Sequence, residues 1–314
     1  MTIASRSILN PPASWLAGTV ADLPTPFDDN DRIDWTAFTA LCERQIEAGS
    51  SAIVVAESAG EASTLTLAEH DAIIRAAVKT ARGRIRVVAG AGSNATGHAI
   101  KLARLAEAAG ADAILSVVPY YNKPTQAGMT EHFRAIADAT DLSIILHDIP
   151  SRTVRGLADE TLAQLAKSPQ FIGLRDGVGD VTRPLRLRSL LRPGFRLMCG
   201  DDSTALGFLL YGGDGCISVT SAILPALCGE LAASCRHGRL AAARGIADRL
   251  APLTTAVCRN TPAAPKYALS LLGPMSPRVR LPMVELSEAE KAEIAHTIAA
   301  IGDEAERQLE LGKR

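Results

Sequence analysis

Polar residues suited to an active site follow several short apolar segments of the chain. His147 and Asp148 end one such segment, and Arg175 and Asp176 end another. An imidazole can move a proton near neutral pH, and a guanidinium can grip a carboxylate through two parallel hydrogen bonds. Because neighbouring residues on a strand face opposite ways, we expect one member of each pair to face the interior of the fold.

A metal site is not indicated by the other histidines and the cysteines. The sequence has no HxH or HExxH pattern, and its six cysteines form no CxxC pair. Such spacings are typical of zinc sites. Asp201 and Asp202 are interpreted as a capping pair for the helix that follows them. Five further histidines fall on predicted helices: His70, His98, His132, His237 and His296.

The composition excludes several classes of protein. Among 314 residues, 33 basic and 34 acidic side chains give a net charge of -1, which provides no field for holding a nucleic acid. Hydrophobic residues make up 47% of the chain, so a large core can form. No apolar run reaches the roughly 18 residues of a membrane span, and the first fifteen residues lack the apolar run of a signal peptide. We therefore predict a cytoplasmic protein that binds neither nucleic acid nor membrane.

The elements that position these residues alternate between strand and helix. Eight apolar segments are separated by stretches with helical periodicity. Their lack of alternation indicates strands that are buried on both faces. The count of eight, and the absence of a GxGxxG turn after the first strand, favour an α/β fold of the (β/α)8 TIM-barrel type over an open sheet. The predicted strands are 18–23, 52–57, 86–91, 113–118, 143–149, 171–175, 196–199 and 215–220.

Capping residues mark the predicted helices. Asp34 begins one helix, Thr66 and Glu69 form a capping box at the start of a second, and Asn94 begins a third that stops at Gly110. After the eighth strand the chain is predicted to be entirely helical, over about 224–236, 239–257, 263–272 and 287–310. The sequence thus predicts a barrel over 1–236 and a C-terminal helical extension over 237–314. In a barrel of this type the active site lies at the carboxyl ends of the strands.

Long motifs in a fixed order resemble the dihydrodipicolinate synthase and N-acetylneuraminate lyase family. The motifs include VADLPTPF, VVAGAGSNAT, PYYNKPTQAGMTEHF, IILHDIPSRT and CGDDSTALGFLLYGGDGCISVTS. The resemblance implies a barrel with C-terminal helices, a homotetramer built as a dimer of dimers, and no metal or organic cofactor. It also implies addition to or cleavage of 2-oxo acids such as pyruvate, through a Schiff base on a lysine of strand six.

Two positions depart from the family pattern. Arg175 stands where the resemblance places the lysine, and a guanidinium, with a pKa above roughly 12, has no lone pair for carbinolamine formation. His147 stands where the family usually has a tyrosine that relays protons. A neutral imidazole is the better base at neutral pH, and a nearby Arg175 cation would favour that neutral form.

Other family positions are retained or altered in part. In the loop after strand two, Ser58 keeps a relay hydroxyl, Ala59 loses one, and Glu57 replaces a glycine. The resemblance implies that Tyr121 enters the site of a neighbouring subunit and that Arg152 binds a substrate carboxylate. It also implies that the Ile217 backbone contacts the 2-oxo acid. Lys123 and Lys266 match family positions but not that of the imine lysine.

Two functional hypotheses remain open from the sequence. The first is a lyase that binds a small carboxylate substrate without an imine, for aldol cleavage or addition, dehydration or decarboxylation. Arg175 would hold the carboxylate, His147 would move a proton, and Ser58 and Tyr121 would assist. The second is a catalytically silent sensor or regulatory subunit. Glu57 could be a base in the substrate site or the partner of Arg175 in a structural ion pair, and His147 could be a core histidine.

Overall fold

Eight parallel strands form a closed barrel in the computed structural model, which describes residues 13–273 and 275–302. Each strand pairs with the next along the chain, and β1 also pairs with β8. The prediction of a (β/α)8 barrel is confirmed. The strands are β1 (Gly18–Asp22), β2 (Ala52–Val55), β3 (Arg86–Gly90), β4 (Ala113–Val117), β5 (Ser143–Asp148), β6 (Phe171–Asp176), β7 (Arg196–Cys199) and β8 (Gly215–Ser218).

Helices follow the strands and continue beyond the barrel. Those of the βα units are α1 (Trp35–Glu47), α2 (Leu67–Ala81), α3 (Thr96–Ala109), α4 (Gln126–Ala137), α5 (Pro150–Thr153), α6 (Asp159–Leu165), α7 (Arg183–Leu190), α8 (Ala205–Leu210), α9 (Thr220–Ile223) and α10 (Pro225–Arg236). They are followed by α11 (Leu240–Arg259), α12 (Ala263–Leu272) and α13 (Glu288–Ala300). The predicted end of the last helix at 310 lies outside the described residues. The division of the chain at residue 236 stays a prediction.

The capping predictions are confirmed for two helices and wrong for a third. The Asp34 carboxylate accepts from the Ala37 N–H at 3.0 Å, and Thr66 with Glu69 forms the expected capping box. The third helix, α3, begins at Thr96 with Ala95 at its N-cap, so Asn94 is not the cap. The Asn94 carbonyl instead accepts from the Asn122 side-chain amide at 2.7 Å, which ties it to the loop after β4.

Six strands end earlier than predicted, four of them by one residue and two, β2 and β8, by two residues, because the chain turns into the segments that carry polar residues. Strand β2 stops at Val55, and Ala56 then adopts a left-handed conformation with φ 53°. Strand β8 likewise ends at Ser218 rather than at 220. Ala56, Glu57 and Val219 therefore belong to the βα loops at the carboxyl end of the barrel, and Thr220 begins α9.

Apolar side chains fill the lower part of the barrel interior, and polar ones occupy the upper part. Ile145 and Ile217 belong to the buried interior cluster together with Val20. Two residues along β5 from Ile145 lies His147, on the same face. A second apolar layer separates the strands from the surrounding helices. The interior is thus a packed floor beneath a polar site.

Candidate active site

A cavity of about 860 Å³ opens at the carboxyl end of the barrel. Asp22, His147 and Arg175 line its inner part. Its outer wall comes from the end of α11 and from the segment 282–286, which precedes α13. The helices after the barrel therefore help to close the site that the strands begin.

Arg175 lies in the barrel interior between two carboxylates. Its Nη1 donates to Asp22 Oδ2 at 2.8 Å and to Glu57 Oε2 at 3.3 Å. The guanidinium is buried, and its Nε has no hydrogen-bond partner among the described residues. Gly200 on the loop after β7 makes room for this side chain, because a Cβ there would lie 2.8 Å from Arg175 Cγ.

His147 is held by Glu57 on one side of its ring. The two atoms His147 Nδ1 and Glu57 Oε1 are 3.0 Å apart, and both side chains are buried. Because a carboxylate can only accept here, we assign the proton to Nδ1, which leaves a lone pair on Nε2. His147 Nε2 is buried and makes no hydrogen bond within the described part of the chain. It is therefore available to a bound molecule.

The electrostatics of this cluster favour a neutral imidazole and an ionised Glu57. Burial lowers the pKa of His147 and the Arg175 cation lowers it further, against the opposing effect of Glu57. Burial alone would raise the pKa of Glu57, but His147, Arg175 and the Ser58 N–H together hold it below its usual range. The arrangement resembles a histidine oriented by a carboxylate in a general base.

Asp22 is a member of the site that the sequence analysis did not identify. It ends β1, lines the cavity and is fully buried. Burial raises its pKa to about 6, with Arg175 opposing the shift and Glu57 adding to it. Its Oδ1 atom has no hydrogen-bond partner in the described residues. The sequence feature that could have identified Asp22 is its position as the one acidic residue near the end of the first predicted strand.

The two strand-end pairs divide between the inside and the outside of the barrel as predicted. Asp148 and Asp176 both point away from the lumen and face Arg183 of α7. Arg183 Nη1 lies 2.8 Å from Asp148 Oδ2 and 3.3 Å from Asp176 Oδ1. This outer cluster leaves His147 and Arg175 as the members that face the lumen.

Three predicted site residues lie in the cavity wall. Ser58 and Ala59 line it from the loop after β2, and Arg152 lines it from α5. Arg152 is exposed, and its Nη2 donates to the Thr261 carbonyl at 3.3 Å. The structure therefore brings these three residues toward Arg175 and His147.

Three predicted site residues do not line the cavity: Glu57, which contacts His147 and Arg175 instead, Tyr121 and Ile217. Tyr121 is 88% exposed with φ 71°, and it projects from the loop after β4. Ile217 belongs to the apolar floor of the barrel.

The interpretation of Asp201 and Asp202 as one capping pair is wrong. Asp201 accepts from the Ser203 N–H, but Asp202 accepts from the Thr220 N–H of α9 at 2.8 Å.

None of the lysines that the structure describes lines the cavity. Lys266 is buried in α12, but its Nζ forms an ion pair with Glu61 and donates to the Arg278 carbonyl at 2.8 Å. Burial lowers the pKa of Lys266 to about 8. The Glu61 carboxylate also accepts from the Arg280 N–H at 2.9 Å, which ties the loop after β2 to the segment before α13.

Residues 13–273 and 275–302 contain neither a cluster of metal ligands nor a helix suited to span a membrane. No group of three or more His, Cys, Asp or Glu side chains there could hold a metal ion. No helix in that part of the chain is both long enough and apolar enough to cross a membrane.

Comparison with known proteins decides the family. A profile described as the Dihydrodipicolinate synthetase family matches residues 15–301. The chain belongs to this family. A relative from Gluconobacter oxydans, named 4-hydroxy-tetrahydrodipicolinate synthase, is 43% identical over 95% of this chain and 98% of its own length. A second from Hyphomonas neptunium, with the same name, is 46% identical over 91% of this chain and 98% of its own.

Solved structures of the family superpose closely on this barrel. Dihydrodipicolinate synthase from Aquifex aeolicus has 35% identity and a TM-score of 0.87, over 90% of this chain and 97% of that one. The chloride-inhibited dihydrodipicolinate synthase from Acinetobacter baumannii, complexed with pyruvate, has 36% identity and a TM-score of 0.88, over 91% of this chain and 99% of that one. The prediction of a lyase of the dihydrodipicolinate synthase family is thereby confirmed at the level of the family.

Proposed function

We propose that this dihydrodipicolinate synthase family member is a lyase that acts on a 2-oxo acid or related carboxylate without a Schiff-base lysine. The reaction would be an aldol addition or cleavage, a dehydration or a decarboxylation. The observation that carries the proposal is the position of Arg175: it lies on β6 and faces the lumen of the barrel, at the position where the resemblance places the imine lysine. The absence of any described lysine from the cavity supports it further.

Arg175 would hold the carboxylate or a developing enolate oxygen. Its Nη1 is occupied by Asp22 and Glu57, whereas its Nη2 makes no hydrogen bond to the described residues. Preorganised donors that meet developing negative charge in a buried site are worth several kcal/mol in the transition state. Arg152 at the cavity wall would bind a second polar group of the substrate.

His147 would move the proton. Its Nε2 lone pair faces no partner among the described residues, and Glu57 fixes the ring by accepting from Nδ1. A base taking a proton from the carbon next to a carbonyl, or a protonated imidazole returning one, serves each of the three reactions. Ser58 at the cavity wall would relay protons to solvent.

The proposal includes a homotetramer, a dimer of dimers, in the cytoplasm. Tyr121 supports contact between subunits because a tyrosine that is 88% exposed in one chain has a large apolar surface to bury. In the assembly Tyr121 would reach the cavity of a neighbour. The proposed contact of the Ile217 backbone with the substrate has less support, since the side chain lies in the apolar floor.

A screen of 2-oxo acids and hydroxy acids tests the proposal. Ligands would be identified by thermal shift and then assayed for turnover, with His147→Ala as the test variant and His237→Ala, at an exposed position after α10, as the matched control. We expect turnover of at least one ligand by the wild type and by His237→Ala, with a loss of about 10²- to 10⁴-fold in His147→Ala.

A second candidate, a silent carboxylate sensor or regulatory subunit, is favoured by one observation. Arg175 already contacts two carboxylates, so its charge is satisfied without a substrate. Ligand binding with no turnover of any compound would support this candidate over the lyase. The named activity of the relatives, 4-hydroxy-tetrahydrodipicolinate synthesis, belongs in the same screen.

A further inference from the structure

Two buried carboxylates share one nitrogen of Arg175. Asp22 Oδ2 lies 2.8 Å from Nη1 and Glu57 Oε2 lies 3.3 Å from the same atom. The Glu57 carboxylate has further donors in His147 and the Ser58 N–H, whereas the Asp22 carboxylate accepts, within the described residues, only from Arg175. With His147 neutral, one cation faces two anions in the lumen, and Asp22 is the less well stabilised of the two.

A ligand carboxylate would add a third negative charge to this cluster. Like charges held together in a buried site cannot all remain ionised, and the least stabilised group takes up a proton. Asp22 Oδ1 is buried, lacks a partner in the described chain and belongs to a residue that lines the cavity. A proton there would find no competing hydrogen bond and would be available to the ligand.

We propose that Asp22 is a specificity-determining residue that takes up one proton when a carboxylate ligand binds to Arg175. The inference rests on the proposed function, because the ligand is the substrate class named there. Protonated Asp22 would return the lumen to the one cation and two anions of the unliganded site, and it would donate a hydrogen bond from Oδ1 to the bound carboxylate. A site with ionised Asp22 would reject the same ligand.

The charged groups around Asp22 are consistent with this assignment. Arg175 faces Asp22 from β6, Glu57 from the loop after β2 and Asp202 from the loop after β7, while His147 contacts Glu57. Burial is the largest cause of the raised pKa of Asp22, which is about 6, and both Glu57 and Asp202 raise it further.

The remaining elements that pack against β1 add no charge near Asp22. Strand β8 has Cys216, whose pKa is raised by hydrogen bonding to Cys199 and by burial. Helix α9 has no titratable residue. Helix α10 has Cys228, whose pKa is raised by burial, while its two charged side chains, Glu230 and Arg236, are exposed.

The pH dependence of binding follows from the linkage between the proton and the ligand. Well below pH 6 Asp22 is mostly protonated before binding, so the affinity is expected to level off and proton uptake to approach zero. Above pH 7 each binding event must take up about one proton, and the dissociation constant should rise about tenfold per pH unit. The slope is set by one group and does not depend on turnover.

Titration calorimetry with pyruvate tests the inference on the full chain. Measurements between pH 5.5 and 8, in buffers with different ionisation enthalpies, give both the affinity and the number of protons taken up. We expect Asp22→Asn to bind pyruvate at every pH with the affinity that the wild type reaches only at low pH, where Asp22 is protonated. Asp201→Asn, which preserves a capping side chain in the same cavity wall, should keep the wild-type pH dependence.

Several results would overturn the inference. They are a pH-independent affinity in the wild type, a pH dependence that persists in Asp22→Asn, and no binding of pyruvate even at pH 5.5. Should Asp22→Asn fail to fold, infrared difference spectroscopy of the wild type replaces it: pyruvate added at pH 7.5 must produce the band of a newly protonated carboxylic acid. Trapping of pyruvate on a lysine would refute the proposed function instead, so the two failures are distinguishable.

Discussion

Replacing Arg175 with methionine removes the only cation that the described structure places between Asp22 and Glu57. Both contacts to Nη1, at 2.8 and 3.3 Å, are lost from a buried site. Removal of one partner from a buried ion pair leaves an uncompensated charge and costs about 3–5 kcal/mol. We expect Arg175→Met to lower the free energy of unfolding by that amount at pH 7.5, measured by urea denaturation.

Two comparisons make this prediction specific. Arg152→Met removes an exposed guanidinium from the same cavity, one whose hydrogen bond is to the Thr261 carbonyl, and should change stability by no more than about 0.5 kcal/mol. The double variant Asp22→Asn/Arg175→Met should recover part of the loss, because Glu57 keeps its contacts with His147 and the Ser58 N–H. The difference in free energy of unfolding between the wild type and Arg175→Met should become smaller as the pH falls toward 5, because Asp22 then takes up a proton and loses its charge. A single variant as stable as the wild type at pH 7.5 would refute the ion-pair reasoning.

Three further predictions concern the carboxylates. The pKa of Asp22 is raised from 3.8 to about 6, so its ionisation lowers the free energy of unfolding increasingly as the pH rises through that interval. We expect Asp22→Asn to raise the free energy of unfolding by about 2–3 kcal/mol at pH 7.5 and to leave it unchanged at pH 4. Thermal melts at the two pH values measure the difference. Glu57→Gln should lower the pKa of His147 further, since Glu57 raises it, and ¹⁵N chemical shifts of the ring against pH will measure the change. Lys266→Met leaves the buried Glu61 carboxylate without its cation and should destabilise the chain by about 3–5 kcal/mol in urea, whereas an unchanged midpoint would show that Lys266 contributes little.

The architecture was predictable because it depends on local patterns repeated along the chain. Apolar segments without alternation indicate buried parallel strands, and the alternating faces of a strand correctly predict that one residue of each pair faces the lumen; in the structure these residues are His147 and Arg175. Strand ends were less predictable. The chain leaves β2 at Ala56 through a left-handed residue that no local propensity favours.

The partners of the site residues could be predicted only in part. Glu57 was named as a possible partner of Arg175, and the contact is present. Asp22 was missed because it lies 153 residues from Arg175 in sequence, and nothing in local spacing brings β1 and β6 together across a barrel. Tyr121 is 88% exposed and does not line the cavity of its own chain, so its proposed role depends on a second copy of the chain.

Reduction with borohydride in the presence of pyruvate tests the central claim most directly. Intact-mass and peptide mass spectrometry would compare the wild type with Arg175→Lys, which puts a primary amine at the same place in β6. We expect no pyruvate adduct on the wild type and an adduct on the introduced lysine of the variant. A stable adduct on any lysine of the wild type would contradict a mechanism without a Schiff base.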